Sequence, residues 1–295
     1  RRQRQMCIRD RYKSHSLHQN IMNGDRFFWN TTTGWMMWNY AIGSFLCGAT
    51  LCLYDGSANF PDIGVQWRFA KDAKINHFGN GSPMFIASMK QNCKDVSNEN
   101  LKFIKTIGAT GSPLSVEAFK WLQKKLPSTQ IISLSGGTDV CSAFIGGCPK
   151  LPVYAGFLQC NMLGASIKAW DENGKSIKGK TGELVITEPF PSMPVFFWGD
   201  KNFKKYNDSY FAVDQKVWTH GDWIFIDELR GVLMQGRSDA TLNRNGIRIG
   251  TSEIYSVLDG IKEIKDSLII DLNINGSSKL ILFVDTENEL NKDFK

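Results

Sequence analysis

The chain has 295 residues, a formal net charge of +6, and 42% apolar against 22% charged residues. That balance excludes a largely disordered, collagen-like or disulfide-stapled chain, and the length allows one large domain or two smaller ones. Residues 1–13 hold Arg1, Arg2, Arg4, Arg9, Arg11 and Lys13 against Asp10, which is +5, so the other 282 residues carry only +1. The excess is a basic head, not a basic domain. It is expected to be an unstructured end or residues foreign to the natural protein, and a nearly neutral body speaks against nucleic-acid binding.

Next come His15 and His18, one helical turn apart, which read as a solvated pair near the terminus and not as a metal clip. With His77 and His220 they complete the histidines, none within H-E-x-x-H, so no zinc site is expected. Residues 35–53 are uncharged and nearly long enough to cross a bilayer. Asn39, Gly43, Ser44 and Gly48 interrupt them, however. A buried helix capped by Gly48 and a strand over 49–54 explain the run without a membrane span. Residues 115–126 show the helical spacing Val116, Phe119, Leu122, Leu126, with Ser115 as N-cap and Pro127 beyond the end. Residues 130–134 read as a strand running into Ser135-Gly136-Gly137. This rhythm is that of an α/β sheet, whose ligands sit beyond the strand ends.

From about Leu163 the pattern becomes β-rich. Strands are expected over 164–170, 182–187, 217–226 and 231–235, with a turn at 171–174. A boundary is placed near Asp239. After it, a short helix over 252–258 and strands over 267–271 and 279–284 read as the start of a small α+β unit. The seven cysteines (Cys7, Cys47, Cys52, Cys93, Cys141, Cys148, Cys160) are odd in number and form no C-x-x-C pair. They read as buried reduced thiols of a cytosolic protein.

The phosphate-loop, dinucleotide, G-x-S-x-G and kinase patterns are all absent. Four loops remain, each with a plain structural reading beside the chemical one. In Gly108-Ala109-Thr110-Gly111-Ser112-Pro113, glycines let backbone approach a planar ligand, or the loop simply joins strand to helix. In Ser135-Gly136-Gly137-Thr138-Asp139, a hydroxyl and a carboxylate suit a phosphate oxygen and a divalent cation, or they cap a turn. In Trp218-Thr219-His220-Gly221-Asp222, one carboxylate could accept both hydroxyls of a ribose, or the segment is a hairpin turn. Gly236-Arg237-Ser238-Asp239 with Asn245-Gly246-Ile247-Arg248 offers two guanidinium groups to an anion, or is a polar linker.

Taken in this order and spacing, with Phe27-Phe28-Trp29, Thr31-Thr32-Thr33-Gly34-Trp35 and Leu53-Tyr54-Asp55-Gly56, the loops resemble those of the adenylate-forming acyl-CoA synthetase superfamily. The resemblance runs from about Lys13 to the C-terminal end. It implies an adenylate-forming fold, an α/β sheet subdomain plus a β-rich subdomain over 13–238, with the start of a small α+β C-terminal domain over 239–295 and residues 1–12 outside it. It implies small-molecule substrates: ATP, CoA and a carboxylic acid that is activated as an acyl-adenylate, with Mg²⁺ as cofactor. By the same resemblance Gly111, Ser112 and Pro113 line the adenine, Thr138 binds the AMP phosphate, and Asp139, where the family usually has Glu, helps to hold Mg²⁺. Asp222 and Arg237 hold the ribose, Arg248 approaches the phosphate, Asp239 is the hinge, and Gly246 lies beside the pantetheine tunnel. Gly136 stands where acetate-using members carry a Trp, leaving room for a longer acid such as acetoacetate. Thr110 and Thr32 are expected to bond a keto oxygen, and Trp35 to form a wall. Gly136 could alternatively serve backbone geometry alone. The family's phosphate loop and its catalytic lysine are not among the 295 residues, so the chain reads as an internal fragment that does not form an acyl-adenylate by itself. Another short acid, or a non-catalytic nucleotide-binding protein on the same fold, are the alternatives.

Overall fold

A computed structural model describes residues 2–229, 231–238, 242–244, 247–249, 251–261, 263–274 and 277–286. Its first layer is a five-stranded parallel sheet. The strands are β1 (Arg26–Trp29), β2 (Thr50–Leu51), β3 (His77–Gly81), β4 (Thr106–Thr110) and β5 (Gln130–Ser133), in the order β2-β1-β3-β4-β5. Helix α1 (Arg2–Lys13) precedes the sheet. Between its strands run α2 (Met36–Gly43), α3 (Val65–Asp72), α4 (Ser82–Lys90), α5 (Asn98–Leu101) and α6 (Val116–Lys125).

The local causes are readable. Ser115 accepts from the Ala118 N–H and caps α6, whose buried face is Ala118, Phe119 and Leu122. The 35–53 run folds as α2 and a short 3₁₀ turn that ends at Gly48 with φ +73, before the two-residue strand β2. Among the described residues no helix is long and apolar enough to cross a membrane. One core lies on the α3–α4–α6 face of the sheet, where Trp67 stacks on Phe78 at 4.6 Å. Burying each such ring contributes about 1.5–3 kcal/mol. A second core, under α2, holds Phe27, Trp29, Tyr40 and Leu134.

Beyond β5 the chain turns antiparallel. β6 (Ser135–Gly137), β7 (Ser142–Gly146) and β8 (Cys160–Asn161) form a small sheet. β9 (Ile167–Trp170), β10 (Ser176–Ile177), β11 (Thr181–Ile186), β12 (Trp218–Ile226) and β13 (Val232–Arg237) form a larger one, in the order β10-β9-β11-β12-β13, with α7 (Lys204–Tyr210) against β12. Its inward residues alternate along β12 as Trp218, His220, Asp222, Ile224 and Ile226. The remaining elements are β14 (Leu242–Arg244) paired with β15 (Ile247–Ile249), α8 (Thr251–Asp259), and the long pair β16 (Ile264–Ile274) and β17 (Ser277–Thr286). The last two extend well beyond the expected 267–271 and 279–284. Lys90 on α4 donates to the Ile264 carbonyl at 3.0 Å, joining this part to the parallel-sheet layer.

Three expectations change. Residues 2–13 form a helix instead of an unstructured end, and Arg11 Nε donates to the Asn39 carbonyl at 2.8 Å. His15 and His18 are not solvated. They are 0% and 4% exposed, held by the Tyr40 carbonyl at 2.7 Å and the Gly147 carbonyl at 2.8 Å. Once buried, each imidazole must find a partner. The seven cysteines are free, but only Cys93 is buried.

Candidate functional site

The carboxyl ends of β4 and β5 point at the antiparallel sheets, and a cleft of about 1700 Å³ opens between them. Parallel strands present their ligands at this end. One wall is the end of β4 and the segment after it, where Thr110, Gly111, Ser112 and Pro113 all line the cleft. Ser82, buried at the start of α4, donates to the Ser112 carbonyl at 2.7 Å and fixes that wall. Trp35 closes the cleft beside Gly111 and is 36% exposed.

The floor is Gly136-Gly137-Thr138 on and after β6. Thr138 is exposed. So is Asp139, whose carboxylate accepts a hydrogen bond from the Tyr210 hydroxyl. The opposite wall comes from β12 and β13, which bring Asp222 and Arg237 into direct register. Their side chains meet at 3.4 Å, Arg237 Nη1 to Asp222 Oδ1, and the same guanidinium donates to the His220 carbonyl. Gly221 between them has φ +84, and a Cβ there would lie 2.9 Å from Arg237 Nη2. Its N–H donates to Glu183 at 2.9 Å, a carboxyl that burial pushes above the usual range. The Trp218–Asp222 segment is thus an inner strand and not a hairpin turn.

His220 is a site residue that the motifs did not single out. It lines the cleft, its Nε2 lies 3.6 Å from Asp222 Oδ2, and burial lowers its imidazole to about 4. The alternation of β12, which puts Trp218, His220 and Asp222 on one face, was the available signal. Tyr210 carried no signal, since it reaches Asp139 from 71 residues away.

The structure therefore gathers Trp35, Thr110, Gly111, Ser112, Pro113, Gly136, Thr138, Asp222 and Arg237 around one cleft. Asp139, next in the chain after Thr138, is exposed and is not among the cleft-lining residues. Three placements differ from the sequence reading. Thr32 is not among the cleft-lining residues; it is exposed, its carbonyl accepting from Thr31 Oγ1. The Thr110 hydroxyl already donates to the Leu134 carbonyl at 2.9 Å, so its proton is spent within the protein. A Cβ on Gly136 would lie 2.2 Å from the Ser142 carbonyl oxygen and 2.7 Å from Ala143 Cα, so close backbone approach to β7 requires glycine there. Arg248 lies in β15 opposite Asn243. Asp239 and Gly246 lie outside the described residues.

This arrangement has defined chemical capacities. A buried carboxylate flanked by a guanidinium can accept from two vicinal hydroxyls while the cation meets an anion. Among the described residues no group of three or more His, Cys, Asp or Glu is gathered. A single exposed carboxylate such as Asp139 fits Mg²⁺ that arrives with phosphate oxygens and waters, and not a resident metal.

The model of the AMP-binding enzyme family matches residues 4–194. The chain is 40% identical over 275 residues to acetoacetyl-CoA synthetase of Mus musculus, covering 92% of this chain and 41% of that protein. It is 40% identical over 273 residues to acetoacetyl-coenzyme A synthetase of Rhizobium meliloti, covering 92% and 42%. Among solved structures, acetoacetyl-CoA synthetase from Streptomyces lividans superposes with a TM-score of 0.89 at 39% identity, over 97% of this chain and 44% of that one. An anthranilate CoA ligase in complex with anthranoyl-AMP shares the fold at 19% identity, with a TM-score of 0.83 over 98% and 55% of the two chains. The chain spans about two fifths of the length of the curated relatives it matches.

Proposed function

The chain belongs to the AMP-binding enzyme family, and from that premise we propose that it carries most of the nucleotide and acid cleft of an ATP-dependent acid–thiol ligase. The reaction proposed is acetoacetate, ATP and CoA to acetoacetyl-CoA, AMP and pyrophosphate, through an acyl-adenylate. The observation that carries this reading is the register of Asp222 with Arg237 across one cleft from Gly111–Pro113 and Gly136–Thr138.

The residues divide the work. Ser112 and Pro113 offer a flat wall to adenine, and Asp222 with Arg237 takes the ribose hydroxyls. The Thr138 hydroxyl is free to donate to the α-phosphate, which Arg248 approaches. Mg²⁺, when held at Asp139 with the phosphates, supplies charge neutralisation at phosphorus. Attack of the acid's carboxylate on the α-phosphorus needs alignment and charge stabilisation, not a protein base. Asp239 as hinge and Gly246 beside the thiol's path complete the proposal. The same reading gives the enzyme a cytosolic location and gives the basic residues 1–13 no nucleic-acid role.

A second acid class is kept for a specific reason. Gly136 is a glycine on backbone grounds and Thr110 has spent its proton, so neither selects a keto acid. Butyrate or a hydroxy acid of similar length would meet the same walls.

Acid-driven ATP–pyrophosphate exchange tests the reading. A chain extended through the family's phosphate loop and lysine should exchange fastest with acetoacetate, and the 295-residue chain should show almost no exchange. Faster exchange with butyrate would replace the substrate, and ordinary enzyme rates from the 295 residues alone would overturn the division of labour.

A further inference from the structure

Trp218 is 1% exposed and stands between the two carboxylates that the proposed function uses. Its ring face stacks on Tyr210 at 3.5 Å and 14°, and Tyr210 in turn donates to Asp139. Its ring edge points the other way, with Nε1–H donating to His220 Nδ1 at 3.2 Å. An indole nitrogen only donates, so Nδ1 must be the acceptor and the proton of the imidazole sits on Nε2. A charged imidazole would set two donors against each other. Burial, which lowers His220 to about 4, keeps the ring neutral instead.

The other side of the same ring faces the nucleotide cleft. Nε2 is 3.6 Å from Asp222 Oδ2, and the imidazole interacts with the Gly136 backbone. A Cβ on Gly137 would lie 2.8 Å from His220 Cε1, so the ring is packed hard against the strand that runs into Thr138. Phe144 meets the ring edge-on at 4.7 Å and blocks its rotation. The position is thus overdetermined by packing and by one directional hydrogen bond.

We propose that His220 is a positioning residue: held as the Nε2–H tautomer by the Trp218 indole, it sets the distance between the ribose-side carboxylate Asp222 and the phosphate-side backbone at Gly136–Gly137. This deepens the nucleotide-binding reading and rests on it. On that reading adenine alone would touch neither side of that spacing, whereas AMP would need both.

The test is titration of AMP and of free adenine into this chain, with ¹⁵N spectra of the histidines. The wild-type chain should bind both ligands and show His220 protonated on Nε2. His220→Ala should weaken AMP about three- to tenfold, the worth of one hydrogen bond, with adenine unchanged. His220→Gln, whose amide N–H stands near the lost Nε2–H, should recover most of the AMP affinity. Trp218→Phe keeps an aromatic plate on Tyr210 but removes the N–H; it should lose AMP affinity as His220→Ala does and lose the single tautomer. If His220→Ala does not fold, Trp218→Phe and His220→Gln still decide. A wild-type proton on Nδ1, variants that keep AMP affinity, or equal losses of AMP and adenine would overturn the role of His220 alone. A wild-type chain that binds neither ligand would overturn the functional reading and this role with it.

Discussion

Gly136 shows how much a single residue can hold. In sequence it reads as a missing indole, and the acid pocket follows from that. In the structure its Cβ position is filled by the Ser142 carbonyl and Ala143 Cα of β7, a backbone contact that no motif encodes. Gly136→Ala should therefore destabilise the fold by about 1–3 kcal/mol, the usual range for overpacking, as read from denaturant unfolding; a neutral or stabilising result would return Gly136 to the pocket. Thr110 and Thr32 were unreadable for a related reason. Sequence shows that a hydroxyl exists, but not that Thr110 donates to Leu134 or that Thr32 is missing from the cleft lining. Asp222 and Arg237 were legible because a short motif fixed their types, and strand register then brought them together.

At the scale of elements, glycines and one tryptophan organise the parallel sheet. A Cβ at Gly79 of β3 would lie 2.0 Å from Trp29 Cε3, and one at Gly108 of β4 would lie 2.6 Å from Trp29 Cη2. The indole from β1 lies across its neighbour β3 and the next strand, β4, in slots that only glycine leaves open. Glycine inside a strand ordinarily costs about 0.5–1 kcal/mol against alanine, so removing it would help if the slot were empty. Gly108→Ala should instead destabilise by about 1–3 kcal/mol, and by clearly less in a Trp29→Ala background, a coupling that a double-mutant cycle in urea reads directly. Additive effects would show that the indole does not occupy the slot. Of these elements α2, β2, α6 and β5 were legible in sequence, because helix caps and apolar periodicity are local, whereas the spans of β1, β3 and β4 were not. Sequence also missed the short reach of β2 and the length of β16 and β17, because strand length depends on the partner strand.

The whole molecule concentrates its net positive charge in residues 1–13 and buries all four of its histidines. All four imidazoles are buried and lowered by that burial, His15 to about 3 and His220 to about 4, with His18 and His77 shifted in the same direction. In the unfolded chain they titrate near 6.5. Below that pH the unfolded chain takes up protons that the folded chain refuses, so stability present above about 6.5 is lost as pH falls towards the folded values. Each fully coupled group contributes a slope of about 1.4 kcal/mol per pH unit. The urea midpoint should fall steadily from pH 6.5 to 4.5, and a flat profile would mean that the histidines are solvated after all. Arginine and lysine of residues 1–13 keep their charge throughout, and after burial Arg11 and Lys13 add to the lowering at His15 and His18. The β-rich layer was legible as a change of texture, but the cleft between layers was not, since it arises only when distant strands meet. The most direct measurement of the central claim is a calorimetric titration of this chain with a non-hydrolysable acetoacetyl-adenylate analogue in which a sulfamate replaces the phosphate ester. The expected result is one site per chain, bound roughly a hundredfold more tightly than AMP and lost in Asp222→Ala; an analogue that does not bind, or binds no better than AMP, would contradict it.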